Sequence, residues 1–537
     1  MDISLILING KIHTLDGKIF ESMAVAKDRI VKLGLTSVIK SMATSVTHKI
    51  DLKGKSLFPG FNDSHLHLQI RGADKDSVNL SDSRSLQDII EKGKQFIIFT
   101  NKNSGEWLHG YGWNQNNFDV KSFPTRDDLD KISTVHPIVF SRTCHHIGVM
   151  NSIAIKLTNI NNDTAIKGGS FDKDKNGIIN GIFREGAVDF VYNQIPKATI
   201  SQIKNNISIA MEEALRFGVT SLQTSDLHNG IKFEEMYEAY MSLKDQGRLK
   251  ARISQQLFLP DKTKLLSFLD KGFKPNAGDN YFRLGPVKLL TDGSLGARTA
   301  ALIEDYSDDP GNKGVLTYFQ TELDEMVDIA HQNGFQITLH AIGDAAVKSS
   351  VEAIEKAFAL KAINYRHRIN HCQIGNIELF ERMAKCGLVA DIQPVFVSSD
   401  WSMVEGRVGK SRVQTSYAWK SMTKAGIRLA GGTDSPVESL NPMYGIYAAV
   451  TRKGLDGNPS SGWLPDEKLS VQEALELYTK GSAYATYEEN EKGTLTEGKL
   501  ADMVVLSENP LEVPRDNIKD IEVLTTIVGG NIVYSKI

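Results

Sequence analysis

A helix-like segment closed by glycine and followed at once by a short apolar run recurs through this chain. It occurs at Phe217-Gly218-Val219-Thr220-Ser221-Leu222, Asn333-Gly334-Phe335-Gln336-Ile337, Cys386-Gly387-Leu388-Val389-Ala390 and Ala425-Gly426-Ile427-Arg428-Leu429. Glycine past a helix C-terminus takes the left-handed conformation without steric penalty. An unalternating apolar run directly after it is a strand covered on both faces. Repeated, the unit is the rhythm of βα units around a parallel sheet. Eight strands fit: one leading to His65, then 219–223, 251–257, 284–290, 336–340, 368–371, 388–393 and 427–430. Eight parallel strands predict an α/β fold, a (β/α)8 barrel of the TIM type, with functional groups at the strand C-termini. An open doubly wound sheet is the competing fold, but it gathers ligands at one switch point.

The ends of the chain read differently. Short strand patterns broken by Asn9-Gly10 and Asp16-Gly17 open it, and Gly529-Gly530-Asn531 punctuates the tail; this is hairpin chemistry. Residues 1–56 with 490–537 are therefore expected to form one composite β-sandwich, and 57–489 the barrel. About 140 residues separate the first two barrel strands, far beyond an ordinary connection, which predicts an inserted subdomain over about 71–213. Such inserts commonly shape a pocket. At 537 residues there is room for all three parts.

Four of the predicted strands end in metal-ligand side chains. His65 and His67, separated by one residue, point the same way on extended backbone. His340, His371 and Asp434 close the runs 336–340, 368–371 and 427–434. Imidazole and carboxylate suit a first-row divalent metal. A net charge of −3 gives no reason to expect a nucleic-acid or membrane partner. No apolar stretch approaches a membrane span. The first ten residues lack a basic lead, and the three cysteines (144, 372, 386) are irregularly spaced, so a cytoplasmic protein acting on a small molecule is expected. A homo-oligomer is left open.

Several motifs together resemble the amidohydrolase superfamily, in its YtcJ-like branch, which includes N-substituted formamide deformylases. They are Pro59–His67, Val287-Lys288-Leu289-Leu290-Thr291-Asp292-Gly293-Ser294-Leu295-Gly296, His340-Ala341-Ile342-Gly343-Asp344, Arg368-Ile369-Asn370-His371-Cys372-Gln373, Gly432–Val437 and the tail 493–504. The resemblance implies a metal site of His65, His67, His340, His371 and Asp434, holding one or two ions, zinc first. Lys288 matches a lysine that many members carboxylate to bridge two metals. His146 matches a pocket histidine and Glu185 an acidic position, an extra ligand or acid; surface-turn roles remain open for both. Arg298, in the loop Asp292–Thr299, is expected to contact substrate. Asn370 departs from the family, which frequently has Glu before the histidine.

The implied chemistry is metal-dependent hydrolysis of an amide or formamide C–N bond. Asp434 serves as general base, and His371 or His146 as donor to the oxyanion. Two other readings compete. A mononuclear deaminase would carry Glu three residues after His340, where Gly343 stands; a non-catalytic binding or regulatory barrel would have lost ligands. Asp172–Gly177 opens like a calcium loop, but its twelfth position is Phe183, and it is read as a solvated turn.

Overall fold

The computed structural model describes residues 2–75, 77–142, 147–166, 169–228 and 230–536, without the side chains of Asn116, Glu185, Gly186 and Asp189. The chain forms two compact units, residues 1–68 with 210–226 and 240–537, and residues 69–209 with 227–239.

The first unit holds the barrel. Its strands are β1 (Phe61–Leu66), β2 (Val219–Thr224), β3 (Arg252–Phe258), β4 (Phe282–Leu290), β5 (Ile337–Ala341), β6 (Arg368–His371), β7 (Val389–Ile392) and β8 (Arg428–Gly431). They lie in sequential order, every neighbouring pair parallel. Gly218, Gly334, Gly387 and Gly426 all take positive φ just before their strands, as the punctuation requires. Strand β6 begins and ends at the expected residues; the others shift by one or two.

Both chain ends meet in the same unit. One sheet joins Ser56–Pro59 to Lys11–His13 and to Met503–Leu506, which pairs on with Val523–Val528 and Asn531–Ser535. The other runs Arg29–Gly34, Ser22–Ala26, Leu5–Ile8, His48–Asp51. Leu5 and Leu7 pack with Met23, Val25, Leu57, Met503 and Val505 between the sheets. Ile6 and Ile8 point the other way, with Ala24 and Ala26, toward Ile39 of the helix Thr36–Ser41. With both faces covered, Leu5–Ile8 is apolar throughout rather than alternating. A buried ion pair fixes sandwich to barrel: Arg252 donates to Asp502 at 2.5 and 2.8 Å, and Asp502 also accepts the Gly529 N–H at 2.8 Å.

The barrel closes between β8 and β1 at the C-terminal rim. Asp434 N donates to His65 O at 2.8 Å, and His67 N to Ser435 O at 2.7 Å. Gly432 permits the approach: a Cβ there would stand 2.6 Å from His65 N and 2.9 Å from His65 O.

The second unit carries a six-stranded sheet, in order Gly169–Lys173, Ile179–Glu185, Ile147–Met150, Ile138–Arg142, Leu108–Trp113, Val78–Asn79. The polar stretch expected to be one turn is instead a hairpin, with Gly169–Lys173 antiparallel to Ile179–Glu185. Its polar composition masked the strand. Asp172 is committed to Arg184 at 2.9 and 2.7 Å, and Asp174 accepts the N–H groups of Asn176 and Ile178, so the calcium-loop spacing serves a hairpin. No helix among the described residues is long and apolar enough to cross a membrane.

Because the obstruction at Gly432 is backbone, Gly432→Ala is expected to destabilise by about 1–3 kcal/mol, as overpacking does. A lowered urea midpoint would register it; an unchanged midpoint would mean the β8–β1 seam tolerates a side chain.

Candidate metal centre

Strands β1, β5, β6 and β8 deliver the expected side chains to one rim. One ligand atom from each of His65, His371 and Asp434 lies within 4.8 Å of the other two, all buried. Asp434 Oδ1 is 3.3 Å from His65 Nε2 and 3.2 Å from His67 Nε2. The rings of His340 and His371 stand 4.4 Å apart between centroids, nearly perpendicular. His371 and Asp434 both take positive φ (72° and 55°), a conformation that side chains adopt only under constraint and that clusters at functional sites.

Hydrogen bonds fix which nitrogen of each ring bears the proton. His67 Nδ1 is 2.7 Å from the Ser225 carbonyl, and His340 Nε2 3.1 Å from the Gly293 carbonyl. A carbonyl oxygen only accepts, so each of these nitrogens carries hydrogen. His371 Nδ1 is 2.7 Å from Gln393 Oε1, and Gln393 Nε2 donates to Asp391 O, which sets that amide's orientation. His67, His340 and His371 thus each commit one ring N–H to a fixed acceptor; burial lowers His67, but Asp434 and the Ser225 carbonyl outweigh it and raise it above the usual imidazole range. Burial, reinforced by neighbouring cationic groups, holds His65 and His371 well below the usual imidazole range. Burial raises Asp434, but His67, His371 and Lys288 together outweigh it and keep the carboxyl low.

The fit to a cation rests on what these groups lack. Asp434 Oδ1 is buried without a hydrogen-bond partner among the described residues. Buried polar atoms are rarely left so. Asp434 Oδ1 approaches two imidazole nitrogens without aligned hydrogen-bond geometry, which is how ligands converge on an ion.

Lys288 ends in a neighbouring polar layer. Its ammonium donates to Asn370 Oδ1 at 2.7 Å; Thr338 donates to the same oxygen, and Asn370 Nδ2 donates to Asp391 at 2.8 Å. Burial pulls Lys288 down to about 7, with Asp434 and Asp391 opposing. Below lies a fully buried pair, Arg368 on Asp391, with Arg368 also donating to Gln223 Oε1 and Ser64 O at 2.7 Å each. Asn370 therefore links Lys288 to Asp391.

Other expected residues fare differently. Arg298 is held by Asp308 at 3.1 and 3.0 Å. Cys144 and His146 lie outside the described residues, as does the side chain of Glu185. Sequence reasoning missed Asp292 and Gln393. Asp292 Oδ1 stands 3.3 Å from His340 Nε2, and its carboxylate accepts the N–H groups of Ala301, Ile342 and Gly343. Both residues lie at strand C-termini, where the barrel rule directs attention; Gln393 was passed over as a non-ligand type and Asp292 as part of a motif.

An amidohydrolase family model matches residues 49–534. The chain is 34% identical over 492 residues to YtcJ of Bacillus subtilis, which carries an amidohydrolase name, covering 91% of both chains. It is 23% identical over 547 residues to an N-substituted formamide deformylase of Arthrobacter pascens, covering 99% of this chain and 98% of that one. Among solved structures, a metal-dependent hydrolase of Pyrococcus furiosus superposes with a TM-score of 0.79 at 32% identity, over 95% of this chain and 100% of that one.

Removing Arg368 would leave Asp391 charged and unpaired in the barrel core. Arg368→Met is expected to cost about 3–5 kcal/mol, and Arg368→Met with Asp391→Leu less than the single change. Urea unfolding of the three proteins tests this; equal midpoints for wild type and the single variant would contradict it.

Proposed function

The chain belongs to the amidohydrolase family, and on that premise we propose that it hydrolyses an amide- or formamide-type C–N bond of a small molecule with one or two divalent ions, zinc foremost. The observation that carries the reading is the convergence of His65, His371 and Asp434, with the buried Asp434 Oδ1 left without a hydrogen-bond partner among the described residues. His65, His67, His340, His371 and Asp434 would hold the metal, with Lys288, as a carbamate, bridging a second ion. Such an ion supplies Lewis acidity, lowering the pKa of water to roughly 7 and polarising a carbonyl.

The chain's own groups do the rest. Asp434, kept ionised by its neighbours, takes a proton from the attacking water and returns it to the leaving nitrogen. His371 spends its N–H on Gln393, so of the two roles considered for it, ligand rather than oxyanion donor is the one proposed. His146 stays the candidate donor, Glu185 an extra ligand or acid, and Arg298 a substrate contact only where Asp308 releases it. Burial holds Lys288 at about 7, so a share of neutral amine, the form that adds carbon dioxide, is present at neutral pH.

Deamination is disfavoured by space. A Cβ on Gly343 would stand 1.9 Å from Ala301 O, so the glutamate that deaminases carry at that point has no room.

Protein purified without chelator is expected to retain one or two zinc-group ions by elemental analysis. Metal removal should abolish turnover across a panel of N-formyl, N-acyl and cyclic amides, and zinc should restore it. Asp434→Asn is expected to lower kcat about 10²–10⁴-fold. Metal-free protein with no metal-dependent turnover would instead favour a binding or regulatory barrel.

A further inference from the structure

Residues 291–319, between β4 and the helix Gln320–Gln332, are fastened at two places on the rim. The first is the end of β5. Asp292 accepts Ile342 N at 3.1 Å and Gly343 N at 2.8 Å, Ala345 N donates to Ala301 O at 3.1 Å, and Ile303 N to Asp344 Oδ1 at 2.9 Å. The second is the helix Val397–Arg412, which follows β7. Ser307 N donates to Arg407 O at 2.8 Å, and Arg412 Nη2 to Asp305 O at 2.6 Å. Arg407 donates to the Asp308 carboxylate and, at 3.3 Å, to Gly296 O. That helix breaks at Gly409 (φ 77°), where a Cβ would meet Ser307 Oγ at 2.7 Å, so its backbone is shaped around the fastening. The segment is a strap along the rim where β5, β6 and β7 end.

Its first turn joins latch to site. Ser294 N donates to Thr299 Oγ1 at 3.0 Å, and Thr299 N and Ala300 N both donate to Ser294 O at 3.1 Å. The turn is closed on itself. At its far side Gly296 O meets Arg407, and Arg298 shares Asp308 with Arg407; at its base Gly293 O accepts from His340 Nε2 at 3.1 Å. Displacing the far side therefore moves the carbonyl that accepts from His340 Nε2, the nitrogen that also faces Asp292 Oδ1 at 3.3 Å.

We infer that Arg407 and Asp308 are positioning residues, a latch that holds the strap so that Gly293 aims the His340 ring toward the centre. Partners of metal-binding histidines fix tautomer and orientation; here the partner is a backbone oxygen, and the ion pair controls it at a distance. The inference rests on His340 belonging to the proposed hydrolytic centre.

The test compares wild type with Arg407→Ala, Arg407→Lys and Asp308→Asn, each also in a His340→Ala background. Hydrogen–deuterium exchange reads the strap, and zinc affinity by chelator competition reads the histidine. Arg407→Ala and Asp308→Asn are expected to speed exchange over 293–301 and weaken zinc about ten- to a hundredfold. Lysine keeps the contact to Asp308 but not the fork to Gly296, and should fall between. Without His340, the latch changes should alter zinc affinity by less than about twofold, since effects through a shared residue are not additive. Unchanged exchange in Arg407→Ala and Asp308→Asn overturns the inference, and so does an equal zinc loss with and without His340. Should wild type bind no zinc, the hydrolase reading fails; exchange over 293–301 then decides the latch alone, with retained protection in the variants refuting it.

Discussion

The centre depends on a seam. His65 sits on the first strand and Asp434 three residues past the last, more than three hundred residues apart in sequence, and they become neighbours only because the chain after β8 closes against β1. That approach requires a position with no side chain, Gly432, beside His65. Asp63 reinforces it: its carboxylate accepts the Thr433 hydroxyl at 2.6 Å and the N–H groups of Thr433 and His65 at 3.1 Å each. Burial pushes Asp63 up to about 7 against those donors, so an ionisable residue is spent on closure. The parallel strands also set each ligand's height. Neighbouring pairs place His340 level with Leu290 and His371 level with Ala341.

Below the ligands the barrel is polar where an ordinary barrel is filled with branched apolar chains. Arg368 crosses to strands β1, β2 and β7 through Ser64, Gln223 and Asp391. Buried charges are costly unless paired and hydrogen-bonded, and each member of this layer answers to another. The layer ends at Asn370, whose amide oxygen meets Lys288 and whose nitrogen meets Asp391. A glutamate at Asn370 would set two carboxylates side by side over one arginine. The asparagine avoids that repulsion while still offering Lys288 an acceptor.

The barrel and the candidate ligands at its rim were legible in sequence for one physical reason. Helix caps and covered strands leave local marks, in Gly218, Gly334, Gly387 and Gly426 and in the apolar runs after them, and barrel function sits at strand ends. His65, His67, His340, His371 and Asp434 could be read from that rule. What orients them could not. The groups that fix the tautomers of His67 and His340 are carbonyls of Ser225 and Gly293, and any residue has a carbonyl. Gln393 acts through a hydrogen bond to His371, and Asp292 stands 3.3 Å from His340 while holding backbone N–H groups, roles without a motif. Arg298 looked available for substrate because its partner, Asp308, is supplied by a loop whose path no local pattern encodes. The hairpin strand Gly169–Lys173 was hidden by its own polarity.

Strain and an unpartnered acceptor together separate a binding centre from a packed histidine cluster. The buried pair His331 and His367 is a useful contrast. His367 Nδ1 accepts from Ile337 N, His331 Nδ1 lies 2.9 Å from His367 Nε2, and His331 Nε2 meets the Lys361 carbonyl, so every ring nitrogen is spoken for. A cluster that satisfies itself has nothing left to offer. At the rim, Asp434 Oδ1 stays without a hydrogen-bond partner among the described residues while the Nε2 atoms of His65 and His67 stand 3.3 and 3.2 Å from it, and His371 and Asp434 are held in left-handed backbone at about 1–3 kcal/mol each. Packing alone gives no reason to leave an acceptor uncompensated in a buried place. A cation is the group that a buried carboxylate oxygen between two imidazole nitrogens can bind, which is why the proposed function rests there.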